Sequence, residues 1–525
     1  MMLVLNNSKG ELMEEQIKPK KTKKEIVKIV AAIVITLLAN MLFFLMIWIL
    51  DRYDDVQFDQ ILYQIKSPIA GTGGGLVGNA LLRTVGLGAL TGTVEILIYL
   101  LLAGVFKDKL SKFKGYVKYS ATRVARFFKK RFMPMSAALL VASIFIFIFR
   151  LGMHSFIINQ IDDSDFLETH YVDPDKTKLT FPEQKRNLIY IFLESMEATY
   201  ADTSAGGNVS HDLIPELSEL ANNNISFAGN NGISGAYTYT GTTWTAAAMV
   251  TQSSGVPIKV ALDFKTYGDG KAFMPGITVL GDILEAEGYN QSVVLGSDAN
   301  FAARSSYYKQ HGNHHIVDVY SLIDDGVLPE GYWQWWGFED EKLFEESKKE
   351  LTRLAALGEP FSFTTLTADT HFPDGYDCHL CPDESNEQYA NVLACSSRQV
   401  YDFVNWCKDQ PFYENTTIVI SGDHLTMDPN FLAEIDENYV RTVYNCIINA
   451  PIEPVRENGR EFATFDMFPT TLAALGVEIE GNRLGLGTNL FSSEQTLAEM
   501  YGRDVLQDEL TKNSDFYFNK FCEEK

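Results

Sequence analysis

The residues with the most chemistry to offer close the stretch Thr416–His424, Thr-Thr-Ile-Val-Ile-Ser-Gly-Asp-His. A β-branched apolar run ending in Gly and two metal-competent side chains predicts a buried parallel strand that delivers ligands at its carboxyl end. Asp423 offers a hard oxygen and His424 an imidazole nitrogen, a mixture suited to zinc or manganese rather than calcium. Taken alone, the pair fits a turn cap and a polar loop residue equally well. What strengthens it is that the same grammar recurs. Asn187–Leu193 runs straight into Glu194-Ser-Met-Glu197, Gln291–Leu295 into Gly296-Ser-Asp298, and Phe361–Thr367 into Ala-Asp369-Thr-His371. Glu194 is then either a carboxylate favoured by a helix dipole or a third metal ligand.

A nucleophile has its own signature. Gly235–Pro257 is a hydroxyl-rich turn, with Thr242, Thr243 and Thr245, running into a small-residue helix. A hydroxyl at a helix N-terminus meets unpaired N–H groups and the positive dipole end, which suits attack on a phosphate. An ordinary Thr cap satisfies the same pattern.

These pieces need a scaffold that gathers distant strand ends. The helices expected at Leu213–Asn222, Leu280–Glu287 and Glu339–Leu357, with a further strand near Ile225–Phe227, alternate with the strands above. The alternation predicts a doubly wound α/β domain with its site along one sheet edge. The domain spans residues 185–525, behind a polar linker at 153–184 that contains Pro174 and Pro182.

The first part of the chain reads differently. Lys18, Lys20, Lys21, Lys23 and Lys24 lie in a basic tail, residues 1–25, ahead of an apolar run from Ile26 to Leu50. Further runs span Thr84–Phe106, interrupted only by Glu95, and Met133–Leu151, so that residues 26–152 form a membrane region with three transmembrane helices. Lys107–Arg131 holds ten Lys or Arg, whereas the Asp51–Asn79 connection is acidic and glycine-rich. The positive-inside rule therefore predicts a cell-membrane protein with its N-terminus in the cytoplasm and everything after Leu151 outside. Arg83 and Glu95 either face each other or find separate partners. The Gly71–Gly75 run is no P-loop, since no Gly-Lys-Ser/Thr follows it, and reads as an external or re-entrant connection. A net charge of −24 leaves no basic field to neutralise phosphates, which argues against a nucleic-acid partner.

Taken together, Glu194-Ser-Met-Glu197, Gly241-Thr-Thr-Trp-Thr245, Gly255-Val-Pro257, Gly296-Ser-Asp298, Asp369-Thr-His371-Phe-Pro-Asp-Gly375, Asp423-His424-Leu and Leu484-Gly-Leu-Gly487 resemble the phosphoglycerol transferase I family. That family belongs to the sulfatase/alkaline-phosphatase-like group and is related to lipoteichoic acid synthases. The resemblance covers most of residues 185–492 and implies an extracytoplasmic sulfatase-like domain. It implies transfer of glycerol phosphate from phosphatidylglycerol to an extracytoplasmic glycan through a covalent threonine intermediate. One divalent ion is implied, Mn²⁺ first, with Mg²⁺ or Zn²⁺ as alternatives. Carried over by position, Glu194, Asp423, His424 and the nucleophilic Thr hold the metal, and Asp298, Arg304 and His371 hold the phosphoglycerol. Arg304 departs from the Lys expected in phosphoglycerol transferase I and matches the Arg of lipoteichoic acid synthases; either can bind a phosphate. Counting back from Thr251 selects Thr242 as nucleophile, with Thr245 second. His371 would also serve the proton transfers.

Other functions compete with this one: a phosphoethanolamine transferase, a sulfatase or phosphodiesterase of the same fold, and a non-catalytic glycan-binding protein. A sulfatase calls for Cys or Ser in a Cys-x-Pro-x-Arg setting, where this chain has Gly241-Thr-Thr-Trp-Thr245. The cysteines fall on the expected outer side, where disulfides can persist. Cys378-His-Leu-Cys381 has the look of half a zinc ribbon but lacks a second Cys-x-x-Cys. The resemblance instead implies a Cys381–Cys395 disulfide, and Cys407 and Cys446 read as buried thiols.

Overall fold

The computed structural model describes residues 23–53, 56–68, 74–229, 232–261, 272–432 and 435–523. Most of the basic tail and of the Gly71–Gly75 run lie outside the described residues. The chain divides into two compact units, one built from the segments up to Met46 and from Ala80 to Phe147, the other from Ile47–Asn79 and Ile148–Lys525.

Among the described residues, three helices are long and apolar enough to cross a bilayer: α1 (Lys23–Arg52), a second over Gly75–Leu102 that carries a π-helical turn at Leu82–Gly86, and a third over Arg123–Arg150. Within the first unit they meet through small and polar residues, as lipid-immersed helices must, since apolar contact alone gives no preference for a neighbouring helix over lipid. A Cβ on Gly88 would come within 2.7 Å of the Met41 backbone. Asn40 donates to Glu95 Oε2 at 2.9 Å and accepts from Thr91 at 3.1 Å, while Thr36 donates to Ser136 at 2.9 Å. Glu95 is thus partnered by Asn40.

In the second unit, six strands form one sheet: β1 (Asn187–Leu193), β2 (Asn290–Leu295), β3 (His315–Val317), β4 (Phe361–Leu366), β5 (Thr416–Gly422) and β6 (Asn445–Ile448). Their spatial order is β3-β2-β4-β1-β5-β6, parallel except for the edge strand β6. Side chains alternate across the sheet plane, and both faces are covered. Leu188, Tyr190 and Phe192 enter one core while Ile189, Ile191 and Leu193 enter the other. On the first face lies α2 (Thr245–Ser254), which contributes Ala246, Ala247, Met249 and Val250. On the second lie α3 (Asp340–Ala355) and α4 (Gln388–Lys408), joined by Phe344 and Phe403 at a ring separation of 4.9 Å.

This is the doubly wound arrangement that the strand grammar predicts, with three differences. The strand expected at Ile225–Phe227 is a single bridge, Ile225 to Ile447. The segment 47–79, assigned by sequence to the membrane region, belongs to the second unit: its helix Phe58–Lys66 buries Tyr63, whose hydroxyl donates to the Ala302 carbonyl at 2.8 Å. Cys381 and Cys395 are free thiols and not a disulfide, whereas Cys407 and Cys446 are buried as expected.

Candidate functional site

Neighbouring parallel strands end side by side, so residues far apart in the chain are delivered together. Leu193 pairs with Gly422, and the next residues are Glu194 and Asp423. The two segments approach so closely that a Cβ on Gly422 would lie 2.0 Å from the Met196 carbonyl oxygen, which explains the Gly that precedes Asp-His. Glu194, Asp423 and His424 are all buried, with one ligand atom from each lying within 4.8 Å of the others.

Each side chain is aimed. Asp423 Oδ1 accepts from the Ser195 and His424 amides at 2.8 and 2.6 Å, leaving Oδ2 buried without a hydrogen-bond partner. Glu194 Oε1 accepts from Ser195 Oγ at 2.9 Å. His424 Nδ1 lies 2.8 Å from the Leu425 carbonyl; the proton belongs there, so Nε2 presents a lone pair to the cluster, 3.4 Å from Glu194 Oε1 and 3.5 Å from Asp423 Oδ2. Ser195 holds a left-handed φ of 53°, a strained backbone that turns its amide and hydroxyl onto both carboxylates.

The charges are out of balance without a cation. Burial and the neighbouring Glu194 push the Asp423 carboxyl well above its usual range. Glu194 is driven up by burial, but the charges of His371 and His424 and the Ser195 and Thr245 hydroxyls outweigh this and hold it low. His424 is lowered by burial, yet Asp423 and Glu194 raise it overall. Two buried carboxylates, one oxygen of them orphaned, and an imidazole lone pair fit a divalent ion by donor set and by charge.

The threonine at this cluster is Thr245. Its Oγ1 donates to Glu194 Oε2 at 3.1 Å and lies 3.3 Å from His424 Nε2. It opens α2, whose first turn has no side-chain cap, so its leading amides face the site. Thr242 is elsewhere: fully buried, its Oγ1 accepts from the Tyr239 amide at 2.9 Å and donates to the Tyr239 carbonyl at 3.0 Å. The structure thus brings Thr245, the second choice of the sequence reading, to the cluster and leaves Thr242, the first, away from it. Counting along the chain assumed that the helix begins at Thr242, whereas a turn at 239–242 precedes it and the helix starts three residues later.

The remaining candidates surround this centre. His371 is close enough for Glu194 and His424 to act on it, though burial dominates and lowers its pKa. Its Nδ1 lies 2.7 Å from the Phe372 carbonyl, and its ring packs on Trp336 at 4.5 Å. The turn bearing it is fastened to the start of α3, because the Ala368 amide donates to Asp340 Oδ1 at 2.7 Å. Arg304 is buried and feels the charge of Glu194 and Asp298. Its Nη2 donates to Ser297 Oγ at 2.8 Å and to the Asp298 carbonyl at 2.9 Å, while Asp298 Oδ1 accepts from the Asn300 amide at 2.8 Å. Phe301 links the two sides, since Arg304 stacks over it at 5.7 Å and Trp336 lies 5.9 Å away.

Sequence reasoning passed over Ser195, which orients two ligands, and Thr367, which accepts from the Glu194 amide at 2.9 Å. Small hydroxyls in such places carry no sequence signal beyond adjacency to an acidic residue. Glu197 lies outside this cluster: it is paired with Arg441 and accepts from the Thr426 amide at 2.8 Å, bracing the loop after His424.

The chain is similar to several known proteins. Phosphoglycerol transferase I of Citrobacter koseri is 32% identical over 348 residues, covering 65% of this chain and 43% of its own length. The protein of that name from Escherichia fergusonii is 33% identical over 349 residues, with the same coverage. The chain thus spans less than half the length of these relatives. The solved lipoteichoic acid synthase LtaP from Listeria monocytogenes superposes with a TM-score of 0.45 and 18% identity, covering 62% of this chain and 80% of its own. The Sulfatase family profile matches residues 186–477, more than half of the chain and all the strands that carry the site, and the chain belongs to the sulfatase family.

Proposed function

We propose that this protein is a membrane-anchored transferase that moves glycerol phosphate from phosphatidylglycerol to an extracytoplasmic glycan through a covalent intermediate on Thr245. The observation that carries the reading is the Thr245 hydroxyl at the N-terminus of α2, within reach of both Glu194 and His424. The name of the curated relatives, phosphoglycerol transferase I, supports glycerol phosphate as the group transferred. The three apolar helices support a donor taken from the bilayer, and the basic Lys107–Arg131 stretch supports an outward-facing catalytic unit.

Glu194, Asp423, His424 and Thr245 would hold the divalent ion, Mn²⁺ first. When bound, such an ion lowers the hydroxyl pKa and screens the charge of the phosphodiester. Thr245 Oγ attacks phosphorus, forming a Thr–O–P bond as the bond from phosphorus to the diacylglycerol oxygen breaks. The threonine proton, already directed at Glu194 Oε2, ends on the departing diacylglycerol. In the second half an acceptor hydroxyl attacks phosphorus and gives its proton to His371 as the Thr–O–P bond breaks; Thr245 takes a proton from solvent and His371 returns its own there, so the cycle closes. The first amides of α2 and the Arg304 guanidinium receive the non-bridging oxygens, and Asp298 receives glycerol hydroxyls.

Incubation of the full-length protein with phosphatidylglycerol labelled separately in headgroup and acyl chains tests this. Headgroup label on a Thr245 peptide, chased onto glycan, with acyl label leaving as diacylglycerol, is the expected result. Label taken instead from phosphatidylethanolamine would make it a phosphoethanolamine transferase, and no adduct with either lipid would defeat the covalent route.

A further inference from the structure

We propose a second metal site, a three-thiolate centre for a thiophilic d¹⁰ cation such as Zn²⁺, formed by Cys378, Cys381 and Cys395. The Sγ of Cys378 lies 3.6 Å from that of Cys381 and 3.7 Å from that of Cys395, and all three sulfurs fall within 4.8 Å of one another. A tetrahedral ion bonded at about 2.3 Å to each sulfur sets the sulfurs about 3.8 Å apart, so the two measured edges match a zinc site with little movement. Only two of these cysteines belong to the Cys-His-Leu-Cys motif; the third comes from α4, fourteen residues after Cys381.

The surroundings favour charged sulfur. The Cys378 amide donates to Cys381 Sγ at 3.3 Å and Gln399 Nε2 to Cys395 Sγ at 3.4 Å, the hydrogen bonds that stabilise coordinated thiolates. Arg398, one turn along α4 from Cys395, donates to the Leu380 carbonyl, and the Cys381 amide closes a turn on the Cys378 carbonyl at 3.0 Å. The loop is therefore already shaped and docked on α4. His379 turns away, 72% exposed, with Nδ1 3.7 Å from Glu341 Oε2, so the fourth position opens beside half-buried Cys381 and would take water. Binding would release the thiol protons to solvent. A disulfide between any two sulfurs would leave the third as an unused thiol against it, whereas an ion uses all three.

The site has a structural consequence. It lies on the same loop as His371: the Tyr376 amide donates to the Asp369 carbonyl at 2.7 Å, and Gln388 Nε2, at the start of α4, donates to the Gly375 carbonyl at 3.0 Å. An ion bridging Cys378 and Cys381 to Cys395 would pin that loop to α4. The centre shares no ligand with the Thr245 site and holds whether or not the proposed transfer is correct.

The test uses full-length protein in detergent, stripped under reducing conditions and reloaded with Cd²⁺ or Zn²⁺ alone. Thiolate-to-cadmium charge-transfer absorption should appear in the unaltered protein and in Asp423→Asn, and disappear in Cys395→Ser together with one equivalent of bound metal. Because Cys395→Ser is a core change, the unaltered protein supplies an independent readout: Zn²⁺ should protect three thiols from maleimide, and a chelator should release them. A disulfide between any two of Cys378, Cys381 and Cys395 in protein taken from membranes without reductant would overturn the proposal. So would reduced protein that shows no thiolate band and no protected thiols.

Discussion

Thr245 Oγ1 sits 3.1 Å from Glu194 Oε2, while Thr242, three residues earlier, turns its hydroxyl onto both backbone groups of Tyr239. One threonine faces the Glu194–His424 cluster and the other holds the turn that precedes the helix.

Their replacements should therefore separate. Thr245→Ala should abolish diacylglycerol release and the covalent adduct with little loss of stability. Thr242→Ala should keep the adduct and cost about 1–2 kcal/mol of stability, because the buried Tyr239 amide loses its partner while the Tyr239 carbonyl keeps only the residue-242 amide. Fragmentation mass spectrometry of the labelled peptide and thermal melts decide; an adduct on Thr242 would reverse the assignment.

Ser195 orients Glu194 through its hydroxyl and Asp423 through its amide. Ser195→Ala should therefore weaken metal affinity about 10- to 100-fold without removing a ligand. Glu194→Ala and Asp423→Ala should abolish binding at this centre. Isothermal titration with Mn²⁺ measures all three, and an unchanged Ser195→Ala affinity would refute the orienting role.

In the proposed reaction His371 takes the acceptor's proton. His371→Asn should slow glycan labelling more than diacylglycerol release, so the phosphoglyceryl-Thr245 species accumulates. Equal slowing of both steps would confine His371 to binding donor.

A pH effect is expected far from the centre. Burial lowers His314 to about 4, outweighing the Tyr308 carbonyl, 3.1 Å from Nδ1, the His311 backbone and the charge of Asp282, while the His311 charge adds slightly to the depression. A depressed histidine contributes stability that is present above its unfolded pKa near 6.5 and lost as pH falls through 4. The share of acid destabilisation due to His314 should approach about 3 kcal/mol near pH 4. His314→Phe should flatten the melting profile between those limits, and a profile parallel to the original would exclude this source.

Topology is also open to measurement. Protease added outside intact cells should release a fragment beginning after Asp162, beyond the third apolar helix. Protection until the membrane is broken would invert the orientation.

Much of this protein was legible from sequence because the signals were local. Apolar length marked three bilayer-length helices, and strands ending in Glu194, Asp298, His371 or Asp423-His424 announced an α/β sheet edge, since a buried parallel strand must be apolar up to the residue where it meets the site. What the sequence could not convey was the relation between elements. The helix start that separates Thr245 from Thr242 depends on where the Tyr239 turn closes, and that closure uses backbone groups common to every residue. Ser195 became an orienting residue only once β1 and β5 were paired in register, with Leu193 opposite Gly422. Cys395 joined Cys378 and Cys381 only because α4 packs back over the loop, bringing together sulfurs that chain spacing alone leaves unrelated. Local propensity and hydropathy act within a few residues, so the sequence by itself could nominate the ligands; side-chain convergence is set by packing across the sheet, which only the tertiary structure decided.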